Sequence, residues 1–208
     1  MTPLPERGLY ALTDAPLFSD GDPMGAVESA IRGGAAVVQY RDKGTDQERR
    51  LEEARALLAM CRSHGVPFLI NDDVALARAI GADGVHIGKD DLPLPATREY
   101  LGKESIIGVS CYNALANAER AQRDGADYVA FGRFFPSRTK PHAVPVTVGQ
   151  LREFCRHIHL PIAAIGGITP ENGASLLDAG ASLLAVIHGV FGQPDVEIAA
   201  RKYARLFA

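Results

Sequence analysis

Residues 81–91 read GADGVHIGKDD, which joins a glycine-led turn, a short apolar run at 85–87 and a polar end. The Gly-Ala pair at its start also occurs at Gly34, Gly125 and Gly180, at intervals of 47, 44 and 55 residues. Each pair precedes an apolar run, and each interval is the length of two strand–helix units. A glycine there ends a helix in a left-handed cap, and the small residue after it lets the chain turn into a strand. The stretch therefore predicts a repeating β/α architecture.

Outward from this stretch, short apolar runs alternate with amphipathic stretches along the whole chain. The runs are nearly continuous in apolar residues, as in strands of a parallel sheet that is covered on both faces. Residues 46–63 carry apolar side chains at helical spacing, and 113–123 and 170–179 show the same pattern. The eight predicted strands are 9–13, 37–40, 68–70, 85–87, 106–109, 128–131, 162–165 and 183–187.

Eight β/α units in 208 residues predict an α/β fold, a single (β/α)8 TIM barrel with short loops that covers residues 1–208. The alternative is an open doubly wound sheet, which would require a glycine-rich turn after the first strand. Asp14, Ala15 and Pro16 follow that strand instead. The sequence contains no linker or low-complexity segment that would mark a second domain.

Composition excludes several classes of partner. The formal net charge is -3, whereas a protein that binds nucleic acid regardless of sequence is usually basic. No apolar run reaches the roughly 18 residues needed to span a bilayer, and residues 1–7 lack the apolar core of a signal peptide. The three cysteines form no C-x-x-C pair. We expect a cytoplasmic protein with reduced thiols and with no nucleic-acid or membrane partner; a homo-oligomer is left open.

Charged and amide side chains follow the second predicted strand, where residues 39–43 read QYRDK. On a strand, Gln39, Arg41 and Lys43 share one face. At a barrel mouth they would bind an anionic, polar substrate, because arginine offers phosphate a fork and lysine a point charge. The alternative interpretation is a surface strand end with solvated charges.

Acidic residues follow the third and fourth predicted strands, as Asn71-Asp72-Asp73 and as Asp90-Asp91. Carboxylates on neighbouring strand ends can share one ion, and oxygen ligands suit Mg²⁺, which completes its shell with water and phosphate. The alternative interpretation is helix N-capping. One aspartate of each pair can cap a helix while the other binds the metal.

Polar and glycine-rich segments also follow the later strands. Ser110 follows the fifth strand without the G-x-S-x-G pattern of a nucleophile. The loop after the sixth strand, residues 134–145, is long enough to act as a lid, or it is a plain solvent loop. Gly166-Gly167 and Ile187-His188 follow the last two strands, where barrels often bind phosphate. His86 lies inside the fourth strand and is interpreted as a satisfied core residue.

Taken together, these motifs resemble the thiamine-phosphate synthase (thiamine-phosphate pyrophosphorylase) family over nearly the whole chain. A single motif would be weak, but all of them occur in order and at compatible spacing. The matching segments are QYRDK at 39–43, NDD at 71–73, GADGVHIGKDD at 81–91, IGVSCYNA at 107–114, GADYVAFGRFFPSRTKP at 125–141 and AIGGITPEN at 164–172.

The resemblance implies a barrel enzyme with Mg²⁺ that joins hydroxymethylpyrimidine diphosphate to hydroxyethylthiazole phosphate, giving thiamine phosphate and pyrophosphate. It implies that the QYRDK segment, with Gln39, Tyr40, Arg41, Asp42 and Lys43, contacts substrate. It implies that Asp72 and Asp91 hold Mg²⁺. The other implied pyrimidine-diphosphate residues are Asn71, Ser110 and Lys140, and the implied thiazole-phosphate residues are Ser137, Arg138, Thr139, Gly167, Ile187 and His188.

The family mechanism is dissociative: pyrophosphate leaves first, and the thiazole nitrogen then attacks a pyrimidine cation. Such a reaction needs no protein nucleophile, and Arg41, Lys43, Ser110 and Lys140 would stabilise the leaving group as catalytic residues. The chain departs from the family pattern at Ser137-Arg138-Thr139, where Thr-x-Thr is common, and at His188, where serine is frequent. The second departure bears on affinity for the thiazole phosphate.

Three other functions are compatible with parts of the pattern. A thiazole tautomerase would bind thiazole phosphate but would not need the cations and carboxylates that a diphosphate requires. A non-catalytic sensor of thiamine phosphates would show no Mg²⁺-dependent release of pyrophosphate. A barrel enzyme for another phosphorylated substrate would not explain paired aspartates beside paired cations.

Overall fold

A closed barrel of parallel strands forms the centre of the computed structural model, which describes residues 1–18, 23–137 and 144–208. Within those ranges the strands are β1 Gly8–Leu12, β2 Ala35–Tyr40, β3 Phe68–Asn71, β4 Gly84–Ile87, β5 Ile106–Tyr112, β6 Tyr128–Phe131, β7 Ile162–Ile165 and β8 Leu183–Val186. They pair in chain order, and β8 closes the ring against β1. The closure confirms the predicted barrel and excludes the open sheet. Each predicted strand is present, with ends that differ by at most three residues.

Helices follow the strands and cover the outside of the barrel. In the described part of the chain they are α1 Pro23–Arg32, α2 Gln47–Ser63, α3 Val74–Ile80, α4 Leu94–Leu101, α5 Leu115–Arg123, α6 Val148–Phe154, α7 Pro170–Leu177, α8 His188–Phe191 and α9 Val196–Ala204. The three helices predicted from apolar spacing correspond to α2, α5 and α7. Across the three described ranges, no helix is both long and apolar enough to cross a membrane.

Successive residues of each strand face two different apolar layers. In β1, Tyr10 and Leu12 belong to the cluster inside the barrel, whereas Leu9 and Ala11 belong to the larger cluster between barrel and helices. Because both faces are buried, both sets of side chains are apolar, which explains the nearly continuous apolar runs. At the carboxyl end the inner face turns polar, and this change places functional side chains at the mouth.

The Gly-Ala repeat lies at the amino ends of the strands, opposite the mouth of the barrel. Gly81 caps α3 in the left-handed conformation with φ 66°, as predicted, and Gly34, Gly125 and Gly180 also have positive φ. Two residues after Gly81, Asp83 donates its backbone N–H to Phe68 O over 3.1 Å. Its carboxylate accepts the N–H of Phe68 over 3.1 Å.

The same reciprocal pair of hydrogen bonds occurs two more times around the barrel. Asp127 makes it with Ile107, with distances of 2.9 and 2.7 Å. Ser182 makes it with Ile162, with distances of 2.8 and 3.4 Å. The third residue of each Gly-Ala-Asp or Gly-Ala-Ser unit thus ties the start of one strand to the start of the strand before it.

Candidate active site

A cavity of about 1280 Å³ opens at the carboxyl ends of the strands, and all eight strands contribute to its lining. This end is where barrel enzymes carry their chemistry. The cavity is large enough for two small phosphorylated molecules. The predicted residues that the structure brings together around it are Gln39, Arg41, Lys43, Asn71, Asp72, Asp91, Ser110, Ser137, Gly167, Ile187 and His188.

The alternation of β2, which ends at Tyr40, continues through Lys43 and separates the QYRDK segment into two sets. Gln39, Arg41 and Lys43 line the cavity, as their shared face predicts. Tyr40 points into the helix layer, where its hydroxyl donates to Glu53 over 2.8 Å. Asp42 is also turned away: its carboxylate accepts the N–H of Gly44 over 2.6 Å and pairs with Arg49. Neither Tyr40 nor Asp42 lines the cavity, so the structure places both away from the substrate contacts that the family resemblance implies for them.

Arg41 is held in place by the segment that follows β1. Its backbone N–H donates to Thr13 Oγ1 over 2.8 Å, and its guanidinium forms an ion pair with Asp14. Both side chains of that pair are largely buried. The anchored guanidinium keeps other N–H donors for a ligand, since arginine carries five. Sequence reasoning used Asp14 only to argue against a glycine-rich turn and missed this role.

The carboxylates of Asp72 and Asp91 lie together at the mouth, beside Lys43. Burial alone would raise the pKa of Asp72, but its ion pair with Lys43 and a hydrogen bond with Asp91 hold the pKa below its usual value. Burial raises the pKa of Asp91, and the neighbouring Asp72 raises it further against the 2.7 Å hydrogen bond from Gly88 N–H. Two carboxylates that repel each other in this way favour a cation between them.

Asp73, the residue after Asp72, caps a helix, which was the alternative to metal binding for the two aspartates at 72 and 73. Its carboxylate accepts the N–H of Leu76 over 2.9 Å at the start of α3, and it pairs with Arg50. One aspartate thus caps the helix while Asp72 faces the cavity. Within the described ranges, no group of three or more His, Cys, Asp or Glu side chains is arranged to hold a metal ion.

Two residues of the mouth have backbone conformations that side chains rarely adopt. Asp72 has φ 63° and Tyr112 has φ 57°, both in the left-handed region. Such a conformation costs on the order of 1–3 kcal/mol and persists where the surrounding structure requires it, commonly at functional sites. At Asp72 it turns the carboxylate out of β3 and toward the ion pair. Tyr112 Oη accepts the N–H of Lys89 over 3.1 Å and so fixes the loop that precedes Asp91.

His86 lies in the cavity wall rather than in an ordinary core position. Its Nε2 is 2.9 Å from Ser110 Oγ, and its Nδ1 is 2.8 Å from Tyr128 Oη. The interpretation of His86 as a satisfied residue is confirmed, but its contact with a cavity residue was missed. The sequence could have placed His86 on the inner face of β4 by alternation along the strand, but it could not have paired His86 with Ser110.

The far side of the mouth is built from the last two strand ends and the loop after β6. A Cβ atom at Gly167, which has φ 65°, would lie 2.3 Å from Pro136 O, so only glycine lets the loop pack this closely. Ser137 and His188 line this side of the cavity, and the His188 ring packs against Gly192. The other predicted residues of the loop, Arg138, Thr139 and Lys140, lie outside the described residues.

A barrel mouth that combines fixed cations, a carboxylate pair and close-packed glycine loops defines a class of protein: a β/α-barrel enzyme for phosphorylated small molecules. Comparison with known proteins identifies the family. A model described as thiamine monophosphate synthase matches residues 9–190, and the chain belongs to that family.

Relatives of this family resemble the chain over nearly its whole length. A thiamine-phosphate synthase of Nitrosococcus oceani is 49% identical over 201 residues, covering 97% of this chain and 93% of that protein. One of Thiobacillus denitrificans is 51% identical, covering 97% and 95%. A solved structure of thiamine phosphate pyrophosphorylase from Pyrococcus furiosus superposes with a TM-score of 0.88 at 32% identity, covering 97% of this chain and 95% of that one.

Proposed function

We propose that the protein is a thiamine-phosphate synthase, a transferase that condenses 4-amino-2-methyl-5-(diphosphooxymethyl)pyrimidine with 4-methyl-5-(2-phosphooxyethyl)thiazole. The products are thiamine phosphate and pyrophosphate. The observation that carries this proposal is the grouping of Arg41, Lys43, Asp72 and Asp91 on three neighbouring strand ends of one large cavity. Two cations beside two carboxylates suit a diphosphate with its counterion, which an isomerase of thiazole phosphate would not need.

Asp72 and Asp91 are the residues that would hold Mg²⁺. Magnesium takes one or two protein carboxylates and fills its remaining positions with water and substrate phosphate, and this pair fits that requirement. When bound, the ion would offset negative charge on the diphosphate. The ion pair of Lys43 with Asp72 places a second positive charge at the same point.

The side chains of the site act mainly by stabilising charge. The bond between the pyrimidine methylene carbon and the diphosphate oxygen breaks, and its electron pair leaves with pyrophosphate. Arg41, Lys43 and Lys140 are cations for that developing charge, and Ser110 is a hydrogen-bond donor to it. The ring amino group stabilises the methylene cation, and the thiazole nitrogen then forms the new C–N bond. Asn71 orients the pyrimidine diphosphate, and this path needs no protein nucleophile.

The thiazole phosphate is assigned to the opposite side of the mouth. Ser137, Arg138, Thr139, Gly167, Ile187 and His188 are the proposed contacts. Holding the thiazole nitrogen next to the methylene carbon removes the entropy cost of bringing two reactants together. The loop at 134–145, which the sequence predicts as a possible lid, lies partly outside the described residues. The three cysteines are free thiols, which supports a cytoplasmic location for this reaction.

The test is to mix the purified protein with both substrates and Mg²⁺ and to measure pyrophosphate and thiamine phosphate in the same sample. Equal amounts of both products, abolished by EDTA, are expected. Binding of thiazole phosphate without product would overturn the synthase assignment. Rearrangement of the thiazole would then indicate a tautomerase, and binding without any turnover would indicate a sensor.

A matched pair of variants tests the metal assignment. Asp72→Asn should lower turnover by at least about 100-fold, because it weakens an interaction worth several kcal/mol. Asp73→Asn is the control: asparagine caps a helix as well as aspartate does, so turnover and fold should be kept. Equal turnover in the two variants would contradict the assignment of Asp72.

A further inference from the structure

A row of hydrogen bonds runs along the floor of the cavity and joins two of the proposed substrate-binding residues. Gln39 Nε2 donates to Tyr10 Oη, which lies 2.7 Å from Tyr128 Oη. Tyr128 Oη lies 2.8 Å from His86 Nδ1, and His86 Nε2 lies 2.9 Å from Ser110 Oγ. Gln39 and Ser110 line the cavity, so the row has both ends in the site.

The donors in such a row must all point the same way. Tyr10 accepts the proton of the Gln39 amide, so its own hydroxyl proton goes to Tyr128. Tyr128 then donates to His86 Nδ1, and a neutral imidazole must carry its proton on Nε2. That proton goes to Ser110 Oγ, which leaves the Ser110 hydroxyl proton to point into the cavity.

At the Gln39 end of the row, a buried hydrogen-bond acceptor has no donor among the described residues. Gln39 is only 1% exposed, and within the described residues its Oε1 has no hydrogen-bond partner. A buried acceptor without a donor is costly, and the native partner is often a ligand or an ordered water. Because the Gln39 side chain lines the cavity, an N–H group of a bound ligand can meet this requirement.

We propose that Tyr10, Tyr128 and His86 are positioning residues that form a one-way hydrogen-bond relay between Gln39 and Ser110. A ligand amino group on Gln39 Oε1 holds the amide in the orientation that makes Ser110 a donor to the cavity. If the amide turns over, each bond of the relay reverses and Ser110 offers only lone pairs. This inference rests on the proposed function: recognition of the aminopyrimidine at one end sets a hydrogen-bond donor for the leaving pyrophosphate at the other.

The relay transmits orientation rather than charge. Burial raises the pKa of Tyr10, and burial together with the neighbouring Tyr10 raises the pKa of Tyr128. Both groups therefore stay neutral phenols, each with one proton to donate. The rings are also held by contact: Tyr10 packs edge-on to Tyr128, and His86 stacks on Tyr128 with centroids 5.5 Å apart.

The tautomer of His86 reports the direction of the relay without any substrate. Nitrogen-15 NMR of histidine-labelled protein, with the signal assigned by its loss in His86→Gln, distinguishes the protonated from the unprotonated ring nitrogen. The wild-type protein should carry the proton on Nε2. In Gln39→Glu a carboxylate can only accept from Tyr10, so the relay should reverse and the proton should move to Nδ1. The same tautomer in both proteins would overturn the proposal.

Cutting the relay separates its effect from that of a charge acting through space. In Tyr128→Phe, which keeps the ring, adding Gln39→Glu should no longer move the proton of His86. Tyr10→Phe cuts the relay at a second point, and it decides the question if Tyr128→Phe does not fold. Tyr40→Phe removes a buried hydroxyl outside the relay, and Gln39→Glu should still change the tautomer in its background. A tautomer that follows Gln39→Glu with the relay cut would refute a role for the tyrosines.

Kinetics then test the consequence for the reaction. Tyr128→Phe should lower kcat by about tenfold, less than the loss of a whole donor, because Ser110 keeps its hydroxyl but not its direction. The KM for the pyrimidine diphosphate should change less than kcat does. An unchanged kcat would contradict the positioning role. An inactive wild-type protein would refute the proposed function alone, because the tautomer measurement would still decide whether the relay exists.

Discussion

Replacing Asp83 by alanine should destabilise the barrel without impairing its chemistry. Asp83 is 0% exposed, and its carboxylate accepts the N–H of Phe68 over 3.1 Å and that of Thr2 over 3.0 Å. Among the described residues, the nearest cation to this carboxylate is Arg62, 3.7 Å away. In Asp83→Ala the Phe68 N–H, at the start of β3, is left buried without its acceptor.

The magnitude follows from what remains unpaired. A buried N–H that loses its acceptor costs about 1–3 kcal/mol, and a lost hydrogen bond to Thr2 adds about 1 kcal/mol. Release of a buried carboxylate from a low-dielectric site offsets part of this cost. We expect Asp83→Ala to lower the free energy of unfolding by about 2–3 kcal/mol. With an m value of about 2–3 kcal/mol/M, the midpoint in urea falls by about 1 M.

Two comparisons make the measurement specific. Asp127 makes the equivalent bond to Ile107, but its side chain is 40% exposed, so water replaces part of what is lost and Asp127→Ala should cost only about 1 kcal/mol. Glu52→Ala, on the exposed face of α2, should change the unfolding free energy by less than about 0.5 kcal/mol.

The assay combines urea unfolding, followed by circular dichroism, with kcat measured at a temperature where every variant is folded. Asp83 lies at the amino end of the barrel and Asp72 at the carboxyl end, so kcat of folded Asp83→Ala should stay within about twofold of wild type. A stability loss below about 0.5 kcal/mol would refute the argument from hydrogen bonding. A large loss of kcat in folded protein would refute the separation of the two barrel ends.

Three further predictions concern the site and its supports. Gly108→Ala should lower the free energy of unfolding by about 1–3 kcal/mol and should also lower kcat, because a Cβ there would lie 2.0 Å from Tyr128 Cζ. Urea unfolding and steady-state kinetics measure the two effects, and no change in either would show that the Tyr128 ring does not pack against Gly108. Lys43→Met should lower kcat/KM for the pyrimidine diphosphate by at least about tenfold. The control Lys103→Met, in an exposed turn before β5, should not lower it, and equal kcat/KM in the two variants would contradict the role of Lys43. Burial raises the pKa of Cys111 to about 12, so its thiol stays protonated at pH 8. Folded protein treated with iodoacetamide at that pH should therefore show no alkylation of Cys111 by mass spectrometry. Rapid alkylation would contradict the burial of this thiol.

The fold was predictable because the signals for it are local and repeated. The Gly-Ala units mark the starts of alternate strands, and the apolar runs between them match the strands to within three residues. The inward side of β2 was also predictable, because parity alone puts Gln39, Arg41 and Lys43 together. The same alternation turns Tyr40 and Asp42 away from the cavity, although the family resemblance includes them among the substrate contacts.

The division of labour between Asp72 and Asp73 was not predictable from the sequence. Either aspartate can cap α3, and which of them does so depends on the left-handed backbone conformation at Asp72. No glycine stands next to Asp72 that would predict this conformation from the sequence. That conformation moves Asp72 out of the capping position, and the next residue takes it. The Asp72 carboxylate then pairs with Lys43, which follows a different strand.

The case of His86 shows why a satisfied polar residue and a functional one are not alternatives in this barrel. Satisfaction requires partners, and the partners of His86 lie on β5 and β6, one of them in the cavity wall. A histidine bonded to one buried hydroxyl, that of Tyr128, and to one that lines the cavity, that of Ser110, is therefore well placed to control where the second directs its proton. Local sequence cannot reveal this, because Tyr10, His86 and Tyr128 are brought together only when the barrel closes.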